Sequence, residues 1–190
     1  MLYYIAWLLL QPCKLLMIVE GLENIPKTKI KMLVIASHNG KLDPWRIGIH
    51  FPFRLAIYWF GRKEFFNIRE AAKEFNWLAA PFVALVVRFS LTIPVNRDEN
   101  DPINIAAIKK AIRLLKQEDL VGVFPRAKTG EREYVNANFV RLALKTEAWI
   151  LPVNVDGRRV VFGPAFQIEK CGKDEHLKIA QEIMKKIEAM

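Results

Sequence analysis

Residues 30–45 read IKMLVIASHNGKLDPW, and the succession of residue types along this stretch decides the fold. The run from Ile30 to Ser37 is mostly apolar and rich in β-branched residues, which predicts a buried strand. Asp43-Pro44 then predicts a helix start, with the carboxylate as cap and the proline, which has no amide to donate, at the first helical position. Strand, turn and helix in that order is the unit of an α/β sheet. It puts His38, one of three histidines in the chain, in the turn between them, five residues before Asp43.

The same alternation continues on either side. RLAIYWF (54–60), LTIPVN (91–96), LVGVF (120–124) and WILPVNV (149–155) read as further strands. EFFNIREAAKEF (64–75), a helix opened by Asp101-Pro102, and NFVRLALKTEA (138–148) read as helices between them. In the helix after Pro102, the stripe Ile105, Ile108, Ile112, Leu115 is expected to face the sheet. A closing helix after Asp174 is expected to bury Leu177, Ala180, Ile183, Met184 and Ile187. The run Trp77–Val87 contains Pro81 and is too short to cross a bilayer, so a buried or interfacial helix is expected there. With no linker, repeat or break in composition, residues 20–190 are expected to form one α/β domain, a mostly parallel or mixed central sheet flanked by helices.

Residues 1–19 are apolar enough to approach a bilayer span, but Gln11, Pro12 and Lys14 interrupt them. A cleaved leader lacks its signs, since no positive charge precedes the apolar run and no small-x-small site follows it. The expectation is a membrane-associating helix lying in the interface, with Tyr3, Tyr4 and Trp7 at headgroup depth and Lys14 towards anionic lipid. A helix packed on the domain is the other reading. The chain of 190 residues carries a net charge of +9, which favours an anionic partner without choosing between nucleic acid and lipid. Cys13 and Cys171 form no C-x-x-C, so neither zinc nor a disulfide framework is expected.

Several common signatures are absent: G-x-S-x-G, the phosphate-binding G-x-x-x-x-G-K-[ST], and H-E-x-x-H. Lys128-Thr129-Gly130 spells K-T-G, but no S-x-x-K accompanies it. What remains is His38 with Asp43. A carboxylate that accepts from one ring nitrogen leaves the other free to take a proton, which makes the imidazole a general base. No seryl or cysteinyl nucleophile is evident, so the attacking group would be a hydroxyl of the substrate. A histidine that satisfies backbone groups in a turn is the competing account of the same residues. No ligand-spaced cluster supports a metal.

Five stretches in fixed order resemble the glycerolipid acyltransferase family, whose best-known members are the 1-acylglycerol-3-phosphate acyltransferases. They are VEGLENIP (19–26), SHNGKLDPW (37–45), IPVNRDE (93–99), VFPRAKTG (123–130) and LPVNVDG (151–157). The resemblance implies that His38 deprotonates an acceptor hydroxyl, that Asp43 orients and charge-balances the ring, and that Arg97 holds an acceptor phosphate. It implies a donor, acyl-CoA or acyl carrier protein, as co-substrate rather than a bound cofactor. The acceptor would be a lysophospholipid, the setting phospholipid biosynthesis, and the location a peripheral or monotopic one on the anionic, cytoplasmic face of a membrane. The basic residues are scattered without an aromatic-basic motif, so nucleic acid is not expected as a partner.

The third block departs from the family's F-P-E-G-T-R. Phe124 and Pro125 match, but Arg126 replaces the glutamate and Lys128 the threonine. A cation cannot accept from a glycerol hydroxyl, whereas it can grip a more anionic headgroup. Phe124, Pro125, Arg126 and Lys128 are therefore expected to line the acceptor site. Asn136 and Asn138 stand where the family has lysine and glycine before a helix. The alternative to an active enzyme is a catalytically impaired domain of this fold that binds lipid.

Overall fold

The computed structural model describes residues 8, 11–37, 40, 43–52, 54–74, 77, 80, 81, 84, 87, 91–96, 101–129 and 132–190, and only the backbone of residues 13, 74, 127–129, 132 and 133. The strands are β1 (Ile18–Glu20), β2 (Met32–Ala36), β3 (Ile57–Arg62), β4 (Thr92–Val95), β5 (Leu120–Val123), β6 (Arg126–Thr129), β7 (Arg132–Val135), β8 (Trp149–Asp156) and β9 (Arg159–Phe162). The helices of a full turn or more whose residues are all described are α1 (Asp43–Gly48), α2 (Ile68–Glu74), α3 (Pro102–Lys116), α4 (Asn138–Thr146) and α5 (His176–Glu188). Short 3-10 turns occupy Gln11–Leu16, Leu22–Asn24, Lys63–Phe66 and Lys173–Glu175.

Seven strands form one mixed sheet in the order β1-β9-β8-β2-β5-β3-β4, and β6 and β7 form a separate hairpin. β2 lies at its centre, parallel to β8 on one side and β5 on the other. All five of its residues are buried, as a strand covered on both faces requires. Strand alternation sends Leu33 and Ile35 to the face covered by α3, α4 and α5. Met32, Val34 and Ala36 go to the other face, against Ile47, Phe51 and Leu55 of α1 and the chain after it. Each fully buried Val, Leu or Ile contributes about 1.5–3 kcal/mol on transfer from water, so this one strand anchors both layers.

Several elements differ from the sequence expectation. β3 starts at Ile57 rather than at Arg54, where the expected strand began, because Leu55 donates its amide to the Pro52 carbonyl in a turn. The helix expected over 64–75 breaks at Asn67, whose backbone is extended and whose Oδ1 accepts from the Arg69 amide at 2.9 Å to start α2. In α3 the buried residues are Ala107, Ala111, Leu114 and Leu115, while Ile105 and Ile108 are exposed. The small alanines allow the helix to sit close to the sheet. In α5 the expected face is buried except for Leu177, which is exposed. Ile18 and Val19, expected at the end of an N-terminal helix, belong to β1 at the sheet edge, where Ile18 pairs with Arg159. Most of the expected Trp77–Val87 helix lies outside the described residues, though Ala80, Pro81, Ala84 and Val87 are helical. Among the described residues no helix is long and apolar enough to cross a membrane.

Candidate active site

Strands β2, β5, β3 and β4 are parallel, so the segments that leave their carboxyl ends gather on one edge of the sheet. Ligands in open α/β sheets bind outside that edge. It carries the turn 37–43 after β2, the segment 96–101 after β4, and Phe124, Pro125 and Arg126 after β5. His38 and Arg97 lie outside the described residues, as does the side chain of Lys128.

Asp43 is wholly buried at the start of α1. Its carboxylate turns back across the turn, where Oδ2 accepts from the Gly40 amide at 2.6 Å and Oδ1 meets Nη1 of Arg46 at 3.3 Å. The Asp43 amide in turn donates to the Gly40 carbonyl. A Cβ on Gly40 would come within 3.3 Å of Oδ1, so the glycine leaves the carboxylate its room. Burying a carboxylate is costly unless it is paired and hydrogen-bonded, and both compensations are present. At the other end of the turn, Ser37 is 6% exposed. Its Oγ donates to Asn154 Oδ1 at 2.8 Å and accepts from the Val155 amide at 2.8 Å, while its own amide donates to the Val153 carbonyl. The residue before His38 is thus riveted to β8.

In the third block, Phe124 stacks on Trp59 with ring centroids 4.7 Å apart and planes 14° from parallel. Gly122 makes that stack possible, since a Cβ there would come 2.2 Å from the indole ring. Pro125 is buried, and its carbonyl accepts from the Asn136 amide to close the base of the β6–β7 hairpin. Arg126 opens β6 and turns its guanidinium to Glu188 at the end of α5, with Nη2 2.7 Å from Oε2. α5 covers the sheet face opposite to α1. The block therefore spans both sides of the edge, with Phe124 packed towards the α1 layer and Arg126 bonded to the α5 layer.

The segment after β4 is fastened at its base. The Asn96 amide donates to Asn104 Oδ1 at 2.8 Å, and Asn104 Nδ2 returns a bond to the Asn96 carbonyl at 3.1 Å. Asp101 caps α3 by accepting from the Ile103 amide, and it also accepts from Asn96 and from Lys63 at 2.8 Å. The Lys63 ammonium first, then the Ile103 amide and Asn96, hold its carboxyl down at about 2.

Residues with a place in this site that were not singled out from sequence include Ser37, Gly40, Arg46 and Glu188. Only Arg46 carried a local signal, as a cation three residues after an acid at a helix start. Ser37 and Glu188 find partners 117 and 62 positions away in the chain.

The chain matches the family model of the acyltransferases over residues 17–156, which is 140 of its 190 residues. No curated protein sequence matches it. Among solved structures it is similar to the 1-acyl-sn-glycerophosphate (LPA) acyltransferase PlsC from Thermotoga maritima. The TM-score is 0.54 at 19% identity, over 91% of this chain and 71% of that one. That likeness supports the α/β fold, and the family match spans the turn, the strand-end segments and the third block alike. The chain belongs to the acyltransferase family.

Proposed function

We propose that this protein is a membrane-associated O-acyltransferase that moves a fatty acyl group from a thioester to a hydroxyl of a phosphate-bearing lysophospholipid. The observation that carries this reading is the wholly buried carboxylate of Asp43, five residues beyond His38 in the turn at the carboxyl edge of β2. His38 takes the proton of the acceptor hydroxyl as its oxygen attacks the thioester carbonyl. The tetrahedral intermediate collapses to the ester, and the departing thiolate takes the proton back from the imidazolium. Asp43 stabilises that imidazolium, and general-base help of this kind is typically worth about 10²–10⁴-fold. Arg97, as a fixed fork of donors, holds the acceptor phosphate. PlsC acts on 1-acyl-sn-glycerophosphate by its name, which makes that lysolipid the first acceptor to try.

Exposed apolar side chains support a lipid surface as the setting. Leu15 is 89% exposed, Leu16 67% and Ile18 63%. Ile18 pairs with Arg159, which pairs with Asp156 at the carboxyl end of β8, so these side chains lie on the edge that carries the 37–43 turn. An apolar segment beside Lys14, on a protein of net charge +9, suits the anionic cytoplasmic face of a membrane. The test is a screen of lysophospholipid acceptors against acyl-CoA and acyl carrier protein donors, with His38→Ala as the control. Transfer that His38→Ala abolishes is expected. No transfer by the wild-type protein with any pair would remove the enzyme reading.

The diversion of Arg126 to Glu188 favours a second reading, a domain of this family that binds lipid without catalysis. Liposome binding by a wild-type protein without transfer, unchanged in His38→Ala, would select it.

A further inference from the structure

We propose that Arg46 is a positioning residue for acyl transfer, acting through Asp43, an inference that rests on the function proposed above. Arg46 stands one helical turn after Asp43 and places Nη1 3.3 Å from its Oδ1, with its own side chain 31% exposed and that of Asp43 at 0%. An ordinary i,i+3 pair between two solvated side chains holds nothing in place. Here one partner has lost its water entirely, so the orientation of the carboxylate is set by the groups that touch it. Gly40 fixes Oδ2 from the turn side at 2.6 Å, and Arg46 meets Oδ1 from the helix side.

One contact comes from within the turn and the other from the helix that follows it, so each carboxylate oxygen is held by a different group. A cation at this place has a second effect. It offsets the cost of keeping an ionised carboxylate in a dry site, and only the ionised form stabilises an imidazolium. The guanidinium is suited to this because its planar fork keeps its direction as it bonds, whereas an ammonium is a point charge on a loose stem. Gly40 completes the arrangement, since a Cβ there would stand 3.3 Å from Oδ1 and 3.6 Å from Nη1, crowding the pair from the side.

The experiment uses full-length protein and whichever donor and acceptor the wild type accepts. It measures kcat and acceptor KM for Arg46→Met, Arg46→Lys and Gly40→Ala, with thermal unfolding of each. Arg46→Met is expected to lower kcat by about tenfold or more, as small misplacement of a catalytic group does, with acceptor KM within about twofold of wild type. Arg46→Lys is expected to recover several-fold of that loss. Gly40→Ala, which keeps the arginine but crowds the pair, is expected to lower kcat in the same way, so a Met variant that fails to fold leaves two others to judge by. Wild-type kcat in folded Arg46→Met, or an Arg46→Lys variant no better than the Met one, would overturn the proposal. So would a rise in acceptor KM at constant kcat, because that would make Arg46 a substrate contact. A wild-type protein without transfer removes the proposed function and this inference together, whereas an active wild type with these contrary results removes the inference alone.

Discussion

Ser37→Ala perturbs the site from behind without touching any reacting group. Ser37 is 6% exposed, and its hydroxyl makes two bonds of 2.8 Å, one donated to Asn154 Oδ1 and one accepted from the Val155 amide. A typical neutral hydrogen bond contributes about 1 kcal/mol net, and depriving a buried amide of its acceptor adds about 1–2 kcal/mol. The expected loss is about 2–3 kcal/mol. For a chain of this length that is a fall in Tm of roughly 4–12 °C, and in urea a lower midpoint with an unchanged slope. Because His38 is the next residue, kcat should fall as well. Asn154→Ala should cost less alone, and the double variant should cost less than the two singles together, since they share one bond. A loss below about 0.5 kcal/mol for Ser37→Ala, or strict additivity, would refute the claim that this hydroxyl fastens the turn to β8.

Three further expectations follow from other contacts. Arg126 and Glu188 are 34% and 39% exposed, so their pair should be worth about 0.5–1 kcal/mol, and a double-mutant cycle with alanine that shows no coupling contradicts the pair. Asp101 is held at about 2 against an ordinary 3.8, so its contribution is present above pH 4 and lost as pH falls towards 2. Acid unfolding of Asp101→Asn should lack that component; an acid limb identical to wild type would show that Lys63 and the cap do not stabilise the charged form. His50 packs edge-on against Phe162, and its Nε2 is buried with no hydrogen-bond partner among the described residues. Burial first, and then Lys14, lowers its pKa from 6.5 to about 4. The unfolded chain therefore binds the extra proton between those values, and stability declines as pH drops from 6.5 to 4, by about 1–2 kcal/mol after allowance for partial exposure. His50→Phe should flatten that decline, and an unchanged slope would contradict it.

Much of the frame was legible because burial leaves a mark on composition. The run Met32–Ala36 is apolar at every position, which only a central strand covered on both faces demands, and Asp101-Pro102 opens α3 where cap and proline chemistry says it should. What escaped has identifiable causes. β1 is three residues long and carries too few positions for a period to show. The β6–β7 hairpin, RAKT against REYV, offers few apolar residues from which a strand could be read. Of the stripe expected in α3, Leu115 is buried and Ile112 packs on the core, whereas Ala107 and Ala111 take the places expected of Ile105 and Ile108, because isoleucine outranks alanine in hydrophobicity and so draws the reading to itself. Of the site, Asp43 was legible through its spacing from His38. The rivet from Ser37 to Asn154 and the tie from Arg126 to Glu188 were not, since nothing local relates residues that the fold alone brings together.

Asp43→Asn addresses the account at its centre, because the amide keeps the shape of the carboxylate and removes its charge. The measurement is kcat for acyl transfer by folded Asp43→Asn relative to wild type, with one thioester donor and one lysophospholipid acceptor. A loss of about 10²-fold or more at unchanged acceptor KM is the predicted result. A kcat within about threefold of wild type would mean that the buried carboxylate is only a structural element of the turn, and that the proton is taken elsewhere.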